Sequence, residues 1–478
     1  MTEQKPSGVD DRSGGAHGFD DESLRSAIRT ALSCGGDYCD VFVEDRDDTL
    51  IFFDDGRIQG ITTGTTAGVG IRVIYGVNYV YLYSGNPTAA TLTELAARAA
   101  EAVRWERVGT LGSVDAREER GIVRPRVEPG AIAVADKVAA VERANQAARD
   151  HSPLIGQVVV RYADDDQRVT IATSDGVIAR DRRVHTRFVV QSIAERDGKK
   201  ETGFYGPGRS MGWEFFDVIG PEAIAAESAR IALVRLEADF APQGKLPVVI
   251  DNEFGGVIFH EACGHPLEAT SVANDASVFC GKFGQKIAND VVSAVDDGTI
   301  PGGWGSADYD DEGNPTQRNQ LITDGVLTSY MIDRLGSIKM GMAGTHSSRR
   351  ESYKYAPTSR MTNTYIDRGS DSLDAMIGSI DHGVYCVKLG GGSVNPATTD
   401  FNFAVQEGYL IKNGAIDRPV KGASLIGKGS EILMNIEMVG DNLDATGTGM
   451  CGSLSGSIPA AVGQPAIKVS GLVVGGRS

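Results

Sequence analysis

Apolar side chains recur three and four positions apart through "DESLRSAIRTALSCGG" (21–36), with acids in front and paired glycines behind. That pattern predicts a capped amphipathic helix. From residue 38 to 84 the period shortens to that of strands, with Asp-Asp-Gly, single Gly and Gly-Val-Asn read as turns. Helical spacing returns in "TLTELAARAAEAVRW" (91–105) and "AVADKVAAVERANQAARD" (133–150). Strands follow between 155 and 206, with Asp-Asp-Asp (164–166) and Ser-Asp-Gly (174–176) expected as hairpin turns. A last helix, "PEAIAAESARIALVRLEA" (221–238), closes this half.

After the connector "DFAPQGKLP" (239–247) the chain turns to Gly, Ser, Thr and β-branched residues, broken by turn signals such as "DDEGNP", "TDGV", "LGGGSVNP" and "KNGA". The fold class expected is α+β in two domains. A mixed N-terminal domain (21–240) precedes a β-rich C-terminal domain (241–478) that carries a helix from about Asn252 to Glu268. Residues 1–20, polar and acid-rich, read as a disordered leader.

Charge narrows the partners. The 478-residue chain has 64 acidic and 47 basic side chains, a formal charge of −17. Such a surface repels phosphate backbones and anionic lipid, so neither nucleic acid nor membrane is an expected partner. No apolar run reaches the roughly 18 residues of a membrane helix. Six scattered cysteines do not form a disulfide framework, and the expected compartment is the cytoplasm.

The candidate chemistry lies in "GVIFHEACGHPLEAT" (256–270). His260 and Glu261 open it like the His-Glu-x-x-His helix of zinc proteases, but the second histidine is His265, one residue late. At about 100° per residue, side chains five apart diverge by about 140°, too far to share an ion. A π-type turn absorbs the extra residue, and such turns cluster at functional sites. Gly264 and Pro266 make the distortion cheap, because one lacks a Cβ and the other an N–H. A catalytic zinc takes a third protein ligand; spacing leaves Cys451, Cys263, Cys280, Cys386, His346, His382 and Glu268 open.

The series "HEACGHPLEAT", "DDEGNP", "RRESYKYAP", "RMTNTY", "LGGGSV", "KGASLIGKG", "MCGSLSGSIPAAVGQP" and "VSGLVVGG" covers most of residues 250–476. Together these motifs resemble the TldD/PmbA family of metalloproteases, on its TldD side. The resemblance implies one Zn²⁺ per chain on His260, His265 and Cys451, with Glu261 as the catalytic general base. It also implies a dimer, with a PmbA/TldE-type paralogue lacking the metal motif, that trims unstructured peptides or peptide precursors. The alternatives are a peptide-binding partner with a structural metal, and a hydrolase of small natural-product-like amides. By family motif, Tyr353, Tyr365, Arg349 and Arg350 are candidates to stabilise the oxyanion. "LGGGSV" reads either as a place for a peptide strand to add or as a tight turn.

Three weaker patterns are set aside. "GRSMG" (208–212) lacks the strand before a nucleophile elbow, and "GTGMCG" (447–452) lacks the helix after a dinucleotide loop. "DYDDEGNPTQRN" (308–319) imitates a calcium loop without its closing Glu and is expected to be an exposed acidic turn.

Overall fold

The computed structural model describes residues 18–103, 105–395 and 398–476; the segment read as a leader lies outside them up to residue 17. Helix Asp21–Ala31 forms where the spacing places it: the Asp20 carboxylate accepts from Ser23 N–H at 2.7 Å, and Leu24, Ala27, Ile28 and Ala31 share the buried face. It packs beside helix Ala89–Ala102.

The first sheet has eight strands. Its main path runs Asn78–Ser84, Arg57–Tyr75, Tyr38–Asp54, Ile155–Thr173, Val177–Arg196 and Asp115–Arg117. Helices Val134–His151 and Pro221–Glu237 cover one of its faces. The central strands are far longer than the turn signals suggest. Ile155–Thr173 runs straight through Asp164, Asp165 and Asp166, which are not a turn. The three acids stay in the ladder because each meets a basic group from a neighbouring element: Lys137 Nζ at 2.6 Å from Asp164, His185 Nδ1 at 2.9 Å from Asp165, and Arg182 on Asp166. The single glycines of Arg57–Tyr75 are not turns either; a Cβ on Gly68 would stand 2.4 Å from the Tyr353 ring.

Two more large sheets and a two-stranded ribbon, Ser348–Arg349 with Thr358–Ser359, complete the described strands. The larger runs His382–Val394, Gly244–Ile250, Ile467–Gly475, Ser424–Lys428, Asp400–Lys412, Ala415–Lys421 and Asp239–Phe240. The other runs Val326–Leu327, Arg318–Thr323, Ala294–Asp297, Asn363–Ile366, Gly456–Gln464 and Asp444–Ser453. Their shared core, which includes Val248, Leu425 and Val469, also takes in Ile258 and Phe259 of the motif segment. The "KNGA" and "TDGV" hairpins form as read: Asn413 and Gly414, and Asp324 and Gly325, all have positive φ. "LGGGSV" is no tight turn. It continues strand His382–Val394, with register breaks at Lys388, Leu389 and Gly392.

The acidic loop is not exposed. Asp308, Asp310, Asp311 and Glu312 are all buried. Arg72, itself 1% exposed, lies 2.7 Å from Asp40 and 2.8 Å from Glu312, and Arg183 lies 2.8 Å from Asp311. The acids are thus clamped against the first sheet by arginines distant in sequence. None of the six cysteines is in a disulfide, and among the described residues no helix is long and apolar enough to cross a membrane.

Candidate metal centre

The motif segment changes pitch three times over residues 253–267. A 3-10 turn (Glu253–Gly256) leads into one α turn (Val257–Phe259), a π turn (His260–Gly264) and a second 3-10 turn (His265–Leu267). The defining bond is His265 N–H to the His260 carbonyl, five residues back. This wide turn brings the two imidazoles onto one side, with ring centroids 5.2 Å apart and planes at 83°. Neighbours hold it tightly. A Cβ on Gly264 would stand 2.3 Å from Met361 Sδ, and one on Gly429 would stand 2.1 Å from the Ala262 carbonyl.

Cys451 arrives from strand Asp444–Ser453, paired opposite Ile458. Its Sγ lies 3.3 Å from His260 Nε2 and 3.2 Å from His265 Nε2, and the three ligand atoms all fall within 4.8 Å of one another. Bond lengths of about 2.0–2.1 Å to nitrogen and 2.3 Å to sulfur place tetrahedral zinc ligands about 3.3–3.6 Å apart, close to the two sulfur–nitrogen distances here. Burial alone would raise the Cys451 thiol, but His260 and His265 outweigh it and draw it down to about 3. The sulfur is therefore in the thiolate form that a metal requires. Two imidazoles and a thiolate converging on one point fit a metal ion.

Glu268 stands behind this cluster, not in it. Its Oε2 lies 3.2 Å from His265 Nδ1, on the far side of the ring from the sulfur. Its other oxygen is 3.8 Å from Arg360 Nε. Arg360 is wholly buried and donates to Ser455 Oγ, to the Gly456 carbonyl and to the Cys451 carbonyl. One carboxylate and one guanidinium thus brace the backs of two ligand-bearing elements, the arrangement that orients metal-binding histidines. The spacing of Glu268, three residues after His265, signalled its reach but not its role.

The remaining third-ligand candidates are elsewhere. Cys263 Sγ points to the Gly429 carbonyl at 3.6 Å, burial raises its pKa, and it packs as a small apolar residue. Cys386 is buried in strand His382–Val394, whose first residue is the exposed His382. Cys280 Sγ lies 3.5 Å from the Val272 carbonyl, and His346 Nδ1 lies 2.8 Å from the Pro315 carbonyl.

His260, Glu261 and Cys451 face a cavity of about 760 Å³. The Glu261 side chain is 32% exposed, with Oε2 3.9 Å from His265 Nε2. Gly390, Gly391 and Gly392 line the same cavity. None of the oxyanion candidates lines it. Arg350 stacks on Phe42 at 4.3 Å, and Tyr353 N–H donates to Glu44 at 2.7 Å, both holding the first sheet. Arg349 donates to the Met361 carbonyl, and Tyr365 is buried in strand Asn363–Ile366.

Three consecutive family domains match: PmbA/TldA metallopeptidase domain 1 over residues 39–103, the central domain over 128–236 and the C-terminal domain over 243–476. The chain is 36% identical to a Metalloprotease TldD homolog of Haemophilus influenzae, covering 92% of this chain and 93% of that one. It is 32% identical to the Buchnera aphidicola homolog (Acyrthosiphon pisum strain), covering 96% and 97%. The fold matches a crystal structure from Thermotoga maritima (TM-score 0.78, 19% identity, 95% and 100% covered). It also matches TldE from Thermococcus kodakarensis (TM-score 0.75, 18% identity, 95% and 99% covered).

Proposed function

The chain belongs to the PmbA/TldD family of metallopeptidases, and from that premise we propose that it is a zinc-dependent peptidase acting on unstructured peptides or peptide precursors. The observation that carries the reading is the meeting of His260 Nε2, His265 Nε2 and Cys451 Sγ beside an open cavity. We assign these three as the ligands of one Zn²⁺ per chain. Three protein donors are the set of a catalytic site; a structural site is closed by a fourth.

When bound there, zinc supplies Lewis acidity and lowers the pKa of a water toward neutrality. Glu261, on the cavity side of the cluster, accepts the proton of the attacking water and returns it to the leaving amine. His260 and His265 would hold the ion through Nε2; Glu268 fixes the second by accepting from its Nδ1–H. The cavity suits a short extended stretch of peptide and excludes a folded domain.

On the same reading the chain divides near residue 240, works in the cytoplasm and pairs with a metal-free paralogue of its own fold. Support for pairing comes from the fold shared with TldE and from Met450 and Leu454, 51% and 82% exposed, in the Cys451 hairpin. The test is metal analysis combined with digestion of an unfolded protein, with the candidate partner added. The expected result is one zinc per chain and cleavage that stops on chelation and returns with zinc. Undiminished cleavage after metal removal, or a pure chain that takes up no zinc, overturns the reading.

A further inference from the structure

Three basic side chains border the metal cavity: Arg187, Arg235 and Lys388. Two are neutralised inside the chain. Lys388 Nζ lies 2.6 Å from Glu253, and Arg235 lies 3.2 Å from Glu201 while donating to the Gln406 carbonyl at 2.8 Å. Arg187 differs. Among the described residues it makes no ion pair, its buried Nε has no acceptor, and its guanidinium lies over the Trp304 ring, 5.9 Å from Cζ to centroid. Burial pulls its pKa below the usual arginine range, with no neighbouring charge to offset the effect.

The chain has acids in excess, 64 against 47 bases, so a guanidinium left without one beside a cavity needs a physical reason. A desolvated, unpaired cation is costly, and the cost is recovered when an anion enters. The position is firmly set. Arg187 pairs in register with Gly208, whose N–H donates to Thr448 Oγ1 at 2.9 Å. Trp304 Nε1 donates to the Gly449 carbonyl at 2.8 Å, and a Cβ on Gly208 would stand 2.8 Å from the Trp304 ring. Thr448 and Gly449 belong to the strand that delivers Cys451 and line the same cavity. The free guanidinium is therefore tied to the strand that carries the sulfur.

We propose that Arg187 binds a carboxylate of the peptide in the cavity and so sets the register of the chain against the metal centre. A planar guanidinium receives a carboxylate through two parallel hydrogen bonds, which gives direction as well as charge. The identity of the ligand as a peptide rests on the peptidase reading. Its carboxylate comes either from the free C-terminus or from an Asp or Glu side chain.

The test uses the zinc-loaded chain, with its partner if pairing is needed, carrying Glu261→Gln so that binding is read without turnover. Fluorescently labelled unfolded peptides are compared by anisotropy as C-terminal acid against amide, and as internal Asp against Asn. The expected result is a preference of about tenfold to a hundredfold for the carboxylate in one of the two pairs, which identifies its source. Arg187→Gln removes the preference, raising the Kd of the acid peptide to that of its neutral counterpart; Arg187→Lys keeps part of it and serves if the Gln variant does not fold. No preference in the Arg187 chain, or a preference that survives substitution, overturns the inference. Hydrolysis by the unmodified chain at equal kcat/KM for both members of each pair overturns it too, while leaving the peptidase reading intact. A carboxylate preference that depends on Arg187, in a chain that hydrolyses nothing, overturns the peptidase reading alone.

Discussion

Glu268 accepts from the ring of His265 on the side opposite Cys451, with 3.2 Å between Oε2 and Nδ1. The bond fixes which nitrogen of His265 is free to face the sulfur. Glu268→Gln keeps the shape and removes the charge, so zinc affinity is expected to fall about 10- to 100-fold with the fold intact. Competition with a chromogenic chelator measures it. Unchanged affinity would show that Glu268 serves packing alone.

Glu261 is the one acid of the motif that faces the cavity instead of the interior. Glu261→Gln is expected to retain one zinc and lose about a hundredfold to ten-thousandfold in kcat. Cys451→Ser is expected to lose the metal itself. Full-rate hydrolysis by the Gln variant removes the assigned base.

The π turn depends on a gap that Gly264 leaves for Met361. A methyl at 264 would stand 2.3 Å from Met361 Sδ, in a core with no slack. Gly264→Ala is expected to cost about 1–3 kcal/mol in urea unfolding. In a Met361→Ala background the same change is expected to cost less, because the sulfur is gone. Equal costs in both backgrounds would place the strain in the backbone instead.

Asp310 gives stability a pH dependence of its own. Burial, followed by the nearby Glu312 charge, raises its carboxyl from 3.8 to about 8. Between those values the folded chain holds a proton that the unfolded chain has released, so this group's contribution to stability falls as pH rises from about 4 to about 8. Asp310→Asn imitates the protonated form. It is expected to flatten the decline of unfolding free energy across that window, read from urea curves at pH 5 and pH 8. An unaltered slope would mean that Asp310 is ionised throughout.

Local rules account for most of what the sequence conveyed. The helices follow from side-chain period and capping, as with Asp20 and the Leu24–Ile28 face, and the Asn413-Gly414 hairpin follows from its need for positive φ. The π turn was legible in the same way, because the late His265, the small Gly264 and the N–H-free Pro266 act within a few residues of one another. Misreadings came where a distant partner reversed a local preference. Asp164–Asp166 resembled a turn until Lys137, His185 and Arg182 held it in a strand, and Asp310–Glu312 resembled a surface loop until Arg72 and Arg183 buried it.

By itself, then, the sequence determined the order of helices and strands and the distortion that aligns two imidazoles, since backbone sterics and hydrogen bonding over a few residues set both. Tertiary structure decided what spacing left open: Cys451, and not Cys263 or Glu268, meets Nε2 of both rings, and Arg187 borders the cavity with no ion pair among the described residues. The meeting of His260 and Cys451 joins residues 191 apart in the chain. Their geometry depends on how separate elements pack, and no local spacing encodes that.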